Sequence, residues 1–168
     1  MDFGMEIGRH LGPLRRYARA LMKDRNEADD LVQDSVARAL SRAHCFQPGT
    51  NLRAWLFTIM HNVHVNTVRQ RVIRPEGASD EALGRLVSPA NQDDRVELRD
   101  MARALDTLPP EQRQVLLLVA LEGLKYDEVA SVLGVPVGTV MSRLSRAREA
   151  LRRHLSGQAP TPLLRRVK

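Results

Sequence analysis

The stretch from residue 126 to residue 148 reads YDEVASVLGVPVGTVMSRLSRAR, and it decides the fold of this part of the chain. Val129 and its apolar neighbours form one face of a short helix, which ends at Gly134 because glycine tolerates a left-handed backbone. Pro136 then begins a second helix, where its missing N–H is no loss. The pattern predicts helices over about 126–133 and 137–155, joined by a tight turn at a steep angle.

The second helix of this pair has an outward face typical of helices that bind DNA. At about 100° per residue, its apolar residues Val140, Leu144 and Ala147 turn inward. The small, hydroxylic and basic residues turn outward or to the flanks: Gly138, Thr139, Ser142, Arg143, Ser145 and Arg146. Small residues permit close approach to base edges, and arginine can bind guanine through two hydrogen bonds. We therefore predict a helix-turn-helix that enters a major groove; the alternative is an ordinary arginine-rich surface helix.

The distribution of charge is uneven along the chain, whose net charge is +6. Residues 137–168 hold eight basic groups against one acidic group, or +7. Residues 73–136 carry −5 and residues 1–72 carry +4. Two basic ends therefore flank an acidic middle, which indicates two separate contacts with nucleic acid.

The composition narrows the class of protein. A chain of 168 residues, 43% hydrophobic but only 4% aromatic, suits helix packing by Leu, Val and Ala. Cys45 is the only cysteine, so no intramolecular disulfide can form, which fits a reducing compartment. The first residues lack a signal-peptide pattern, and the longest apolar run, 115–121, falls short of the roughly 20 residues that span a bilayer. We expect a cytoplasmic protein without membrane insertion.

Helical periodicity and chain breaks predict an all-α fold of two small domains. In the first half, helices are expected over about 8–22, from an N-cap at Asn26, and over about 52–72. Residues rich in Pro, Gly and Ser follow, and helical periodicity resumes near Glu97. The predicted boundaries are a first domain over 1–73, a flexible linker over 74–94, a second domain over 95–156 and a flexible basic tail over 157–168.

Two groups of polar residues stand out in the first half. Asp30, Gln33 and Asp34, together with Arg38, form a polar strip on the second helix, which suits a charged partner helix, although the pattern alone favours a solvated face. On the third helix Asn62, Asn66 and Arg69 stand at i, i+4 and i+7 and share a face. Asparagine can pair with a flipped base, and arginine can bind phosphate.

Together these motifs resemble a known family. Residues 29–40 (DDLVQDSVARAL) and 53–59 (RAWLFTI), with Asn62 and Arg69, resemble the first conserved domain of bacterial extracytoplasmic-function (ECF) sigma factors. Residues 108–113 (LPPEQR) and 137–148 (VGTVMSRLSRAR) resemble their second. The resemblance covers nearly all of residues 8–156, in the order that the family shows.

The resemblance implies a protein without catalytic activity of its own, which directs core RNA polymerase to promoters; we expect no cofactor and no metal. Its partners would be promoter DNA, the β′ clamp helices and β flap of the polymerase, and an anti-sigma factor covering both domains. The implied roles are clamp binding, −10 DNA binding and −35 DNA binding. Clamp binding is implied for Asp30, Gln33 and Asp34. Binding of the −10 DNA is implied for Phe46, Asn62, Asn66 and Arg69. Binding of the −35 DNA is implied for Gly138, Thr139, Ser142, Arg143, Ser145 and Arg146.

Several alternatives stay open on the sequence. Asn66 stands where the family commonly has aspartate. Phe46 can stack on an unstacked base or be buried, and Trp55 suits the core better than a melting wedge. A two-domain repressor or activator is the rival function. A metal site built from Cys45, His61 and His64 lacks the paired-ligand spacing that such sites show.

Overall fold

The computed structural model describes residues 2–74 and 92–157, with the backbone alone over 92–95. Within these ranges the regular structure is helical and no strand occurs, which confirms the all-α prediction. The α helices are α1 (Phe3–Leu21), α2 (Arg25–Ser41), α3 (Leu52–Ile73), α4 (Gln92–Thr107), α5 (Pro110–Leu116), α6 (Tyr126–Leu133) and α7 (Val137–Leu155). None of these helices is long and apolar enough to cross a membrane.

Short polar side chains set where the first helices begin. Asp2 precedes α1 and accepts a hydrogen bond from the backbone N–H of Gly4 at 3.0 Å, so α1 begins five residues before the predicted residue 8. The prediction that Asn26 caps α2 is wrong. Asp24 is the cap, and its Oδ1 accepts from the N–H of Asn26 at 2.7 Å. Both residues are of a capping type, and only the backbone geometry distinguishes them.

Helices α1, α2 and α3 pack around a shared apolar core. The ring of Tyr17 meets the ring of Phe57 edge-on, with centroids 5.3 Å apart. Leu14, Leu56 and Met60 are buried around them. Burial of such side chains contributes about 1.5–3 kcal/mol each, so this core fixes the three helices relative to one another.

Helix α4 begins at Gln92, so residues 92–94 of the predicted linker are helical. The rest of that linker from residue 75, and the tail from residue 158, lie outside the described residues. α5 continues as a π-helical turn over Leu117–Leu121, and the chain then turns at Gly123 with φ of 65°. α6 and α7 have the predicted bounds, and Gly134 between them has φ of 66°.

The helices of the two halves also contact each other. α3 packs against α6, and α1 packs against the π-helical turn. The core therefore continues from the N-terminal helices α1–α3 into the C-terminal helices α4–α7.

Candidate nucleic-acid interface

Helix α7 presents the outward face that its periodicity predicts. Val140, Leu144 and Ala147 are buried against α5 and α6. On the opposite side Gly138, Ser142, Ser145 and Arg146 are exposed, whereas Thr139 and Arg143 are half-buried on the flanks. A Cβ added at Gly138 would have no neighbour within 4 Å, so the surface there is open. The six candidate −35 residues thus lie along one accessible side of the helix.

The arginines of α7 differ in what they contact. Arg152 donates two of its hydrogen bonds to Glu149, with Nη2–Oε1 at 2.8 Å and Nε–Oε2 at 3.2 Å. Arg153 also pairs with Glu149, at 3.2 Å. The hydrogen bond from Arg152 lowers the pKa of Glu149. In the described ranges no ion pair involves Arg143 or Arg146, so their guanidinium groups remain available to an external anion.

Asn62, Asn66 and Arg69 are exposed and line one cleft of about 610 Å³. Arg38 and Arg42 of the α2 end extend the same wall, which is therefore cationic and polar. The opposite wall is the end of α6 and the turn of the helix-turn-helix, at residues 131–134. This α3–α6 cleft brings together three of the four predicted −10 side chains, Asn62, Asn66 and Arg69, but it also places another helix in front of them.

The polar strip of α2 is only partly continuous with that surface. Asp30, Gln33 and Asp34 are all exposed. Asp34 and Asn66 line a second cleft of about 540 Å³ between α2 and α3. Asp30 and Gln33 do not line it. The candidate clamp residues therefore form an accessible acidic and amide strip whose end touches the −10 surface.

Phe46 lies in an aromatic cluster and not in the α3–α6 cleft. Its ring centroid is 5.4 Å from that of Trp55 and 5.7 Å from that of Phe3, and the side chain is half-buried. Trp55 is half-buried as well, and it packs against the core. The side chain of Phe46 is therefore neither fully buried nor free to stack on a base as it stands.

Two histidines lie on α3 beside the candidate residues. Burial lowers the pKa of His61, with a smaller contribution from His64. Burial also lowers the pKa of His64, with Arg71 adding to the effect. Both Nδ1 atoms are buried and accept no hydrogen bond within the described structure. In the same ranges no group of three or more His, Cys, Asp or Glu side chains could hold a metal ion.

One buried charge joins the two halves and is not among the residues predicted from the sequence. Glu122 has a side chain of 0% relative exposure and accepts hydrogen bonds from Arg16 and Arg53. The hydrogen bond to Glu122 raises the pKa of Arg16, and burial followed by the charge of Glu122 raises the pKa of Tyr17. The available signal was a lone acid at the end of an apolar run, residues 115–124.

Comparisons with known proteins match both halves of the chain to domains of one group of proteins. Residues 98–151 match the family model for Sigma-70, region 4, and residues 7–61 match that for the Sigma2 domain of PhyR. The chain is 41% identical over 138 residues to the ECF RNA polymerase sigma factor EcfG of Rhodopseudomonas palustris, covering 82% of this chain and 76% of that protein.

Two solved structures share the fold at the scale of the whole chain. The sigma factor RpoE of Bartonella quintana, in complex with the anti-sigma factor NepR, has a TM-score of 0.79 at 33% identity, over 92% of this chain and 97% of that one. CnrH, in complex with the cytosolic domain of CnrY, has a TM-score of 0.69 at 30% identity, over 94% and 89%. The order of the motifs, the open face of the helix-turn-helix and these likenesses all agree. The chain belongs to the ECF RNA polymerase sigma factors.

Proposed function

We propose a division of labour in which residues 1–73 bind core polymerase and open the −10 element, while residues 95–156 bind the −35 element as duplex. In this proposal Asp30, Gln33 and Asp34 bind the β′ clamp helices, and the second domain also contacts the β flap. A partner of core polymerase acts where the polymerase is, which is the cytoplasm. Family membership disfavours the rival of a repressor or activator that acts apart from polymerase.

The observation that carries the −35 role is the outward face of α7. Its base-reading candidates are small, hydroxylic or basic, and the face opposite packs into the core. The second helix of a helix-turn-helix enters the major groove with its N-terminal residues at the base edges. We therefore assign base contacts to Gly138, Ser142 and Arg146, with Thr139, Arg143 and Ser145 as flanking contacts to bases or phosphates.

The −10 role is assigned to the exposed face of α3. Asn62 and Asn66 offer amide groups that can pair with the Watson–Crick edge of a flipped base, and Arg69 can bind phosphate. Binding the flipped base offsets the few kcal/mol of unstacking, so no nucleotide hydrolysis is needed. Phe46 is proposed as a stacking partner at the neighbouring loop, which requires it to leave its cluster with Trp55.

An anti-sigma factor is the proposed regulator. One relative of known structure is in complex with an anti-sigma factor, NepR, and another is in complex with the cytosolic domain of CnrY. The likeness to the NepR-bound sigma factor extends over both groups of helices at once. The mutual arrangement of α1–α3 and α4–α7 in this chain is therefore like that of a sigma factor in its anti-sigma complex.

The proposal is tested by transcription with purified core polymerase over a library of genomic fragments, which gives the promoter motif. On one such promoter, Arg146→Ala should weaken −35 duplex binding by about 10- to 100-fold, since a bidentate base contact contributes about 1–3 kcal/mol. Asn62→Ala should leave duplex binding within twofold of the wild type and remove permanganate reactivity at the −10 element.

Matched controls separate these effects from general damage. Arg99→Ala changes an exposed arginine of α4, outside the helix-turn-helix, and Asn26→Ala changes an exposed asparagine that does not line the cleft. Both controls should bind and melt like the wild type. Equal loss of duplex binding and melting in Arg146→Ala and Asn62→Ala would contradict the division of labour.

A further inference from the structure

Glu122 is a fully buried carboxylate held by arginines from two other helices. Arg16 of α1 donates through Nε to Oε1 at 3.0 Å and through Nη2 to Oε2 at 2.9 Å. Arg53 of α3 donates through Nη2 to Oε2 at 2.7 Å. The two arginine side chains are 51% and 31% exposed, whereas that of Glu122 is 0% exposed. We call these three residues the Glu122 clasp.

The clasp closes a seam between the N-terminal and C-terminal helices. A second hydrogen bond crosses the seam from Asn51 Nδ2 to Glu128 Oε1 at 2.6 Å. Each of these two residues also orders a helix start, since Asn51 caps α3 and Glu128 accepts from the N–H of Lys125 before α6. The polar contacts of the seam thus depend on helix ends that are themselves well defined.

Closing this seam covers the surface proposed to bind the −10 element. The end of α6 forms the wall of the α3–α6 cleft opposite Asn62 and Asn66. A nucleic-acid strand laid along α3 would meet residues 131–134 before it reached the full length of that face. The closed arrangement therefore competes with −10 binding.

The spacing of the two promoter elements also requires the seam to open. The −35 and −10 elements lie about 25 base pairs apart, or roughly 85 Å of duplex at 3.4 Å per base pair. A compact chain of this length measures only about 40 Å across. With α6 against α3, α7 cannot occupy the −35 element while α3 binds the −10 element, so the seam must open on the promoter.

Because the polar contacts of the seam are largely ion pairs, the two groups of helices can separate and dock again. A buried ion pair gains little over its solvated groups, because desolvation offsets most of the attraction. Opening returns Glu122, Arg16 and Arg53 to water, and the cost of separation is therefore modest. Neutralising Glu122 has a different effect, since no ionic attraction then offsets the partial desolvation of Arg16 and Arg53 at the closed seam.

We propose that the Glu122 clasp holds the free sigma factor in a closed state in which α6 covers the −10 surface, so that binding of the −10 element requires the clasp to open. The inhibitory part of this inference rests on the proposed −10 role of α3. The closed state is the arrangement shared with the NepR-bound relative, and an anti-sigma factor would stabilise it further.

The test measures the distance between the two halves in the full chain. Cys45 is the only cysteine and is exposed, so it takes one spin label, and Ser156→Cys at the exposed end of α7 takes the other. Double electron–electron resonance should give one short distance in this background. Adding Glu122→Gln should produce a second, longer distance, because the neutral amide cannot balance two guanidinium charges.

Two further variants keep the result interpretable. Arg16→Gln removes one tie from a half-exposed position and should lengthen the distance in the same direction, even if Glu122→Gln fails to fold. Glu111→Gln changes an exposed acid of α5 away from the seam and should leave the distance unchanged. An unchanged distance in both clasp variants, with helical content retained, would overturn the clasp.

The functional arm measures affinity for single-stranded DNA that carries the −10 motif and, separately, for purified core RNA polymerase. The apparent dissociation constant for the −10 DNA scales inversely with the open fraction, so Glu122→Gln should bind that DNA about threefold or more tightly than the wild type. A longer distance without tighter binding would overturn the inhibitory role. Failure of every variant to bind polymerase, with the longer distance present, would support the clasp and overturn the proposed function.

Discussion

Arg113 is a buried cation that holds backbone carbonyls together. Its Nε donates to the carbonyl of Leu105 at 2.9 Å, and its Nη2 donates to those of Asp106 and Leu108 at 3.1 and 3.3 Å. Its Nη1 lies 3.5 Å from the carbonyl of Leu21, across the seam. The guanidinium therefore fixes the α4–α5 corner and ties that corner to the end of α1.

Replacing Arg113 with methionine keeps the length of the side chain but leaves these carbonyls without their donor. We expect the free energy of unfolding to fall by about 3 kcal/mol, measured by urea denaturation. Arg113→Lys should give a smaller loss, since an ammonium group reaches fewer of the carbonyls. A methionine variant as stable as the wild type would show that water satisfies this corner.

The histidines of α3 make stability depend on pH. Their pKa values are lowered by burial from the ordinary 6.5, so the unfolded chain binds protons that the folded chain does not. Stability is therefore complete above 6.5 and decreases as the pH falls through 6.5 towards the lower folded values. Urea unfolding at pH 7.5 and 5.5 should show this decrease, with a smaller decrease in a His61→Gln, His64→Gln double variant.

The histidine prediction has a built-in comparison on α7. His154→Gln, a change at an exposed histidine of α7, is the control for replacing a histidine as such. His10 also has a pKa lowered mainly by burial, and it should contribute the dependence that remains in the double variant. An identical decrease in the wild type and the double variant would contradict a role for the α3 histidines.

At the scale of the helix, alanine substitutions at two glycines of the helix-turn-helix should change the free energy of unfolding in opposite directions. Gly134 has φ of 66° and open space at its Cβ, so Gly134→Ala should cost about 1 kcal/mol through the backbone alone. Gly138 lies within α7 with open space around it, so Gly138→Ala should raise stability by about 0.5 kcal/mol. The same alanine should weaken −35 duplex binding, because its methyl group meets the base edges.

Thermal unfolding and duplex-binding assays on both variants check this pair. The result that contradicts it is a Gly138→Ala protein that binds the −35 duplex like the wild type. In that case the helix would approach the groove through other residues, and the proposed contact at its second position would be wrong.

The bounds of α6 and α7 could be predicted because their signals are local. Gly134 and Pro136 act through their own backbones, and no distant contact overrides them. The α2 cap was mistaken because Asp24 and Asn26 stand two residues apart with similar chemistry. The start of α4 was placed too late, since its first turn carries no apolar residue to mark it.

The clasp lay beyond sequence reasoning for a different reason. Glu122 is 106 residues from Arg16 and 69 from Arg53, and nothing local to any of them indicates a partner. A lone acid after an apolar run indicates a buried carboxylate but does not identify the residues that pair with it. Likewise, the sequence placed Asn62, Asn66 and Arg69 on one face correctly, yet it could not predict that α6 would lie opposite them.

For the whole molecule, the seam makes the two groups of helices one cooperative body. Trp55 is the only tryptophan and lies on α3, so its fluorescence reports the N-terminal helices, whereas far-UV circular dichroism reports all helices. Glu122 meets both of its arginine partners only while both groups are folded and docked. Urea unfolding of the wild type should therefore give coincident transitions by the two probes.

Glu122→Gln should separate those transitions, because each group of helices then unfolds according to its own core. Glu111→Gln should keep them coincident, since it removes a charge without touching the seam. Separate transitions in the wild type would mean that docking contributes too little to couple the halves. Coincident transitions in Glu122→Gln would mean that the apolar contacts of α3 with α6 couple them without the ion pair, and that opening must begin there.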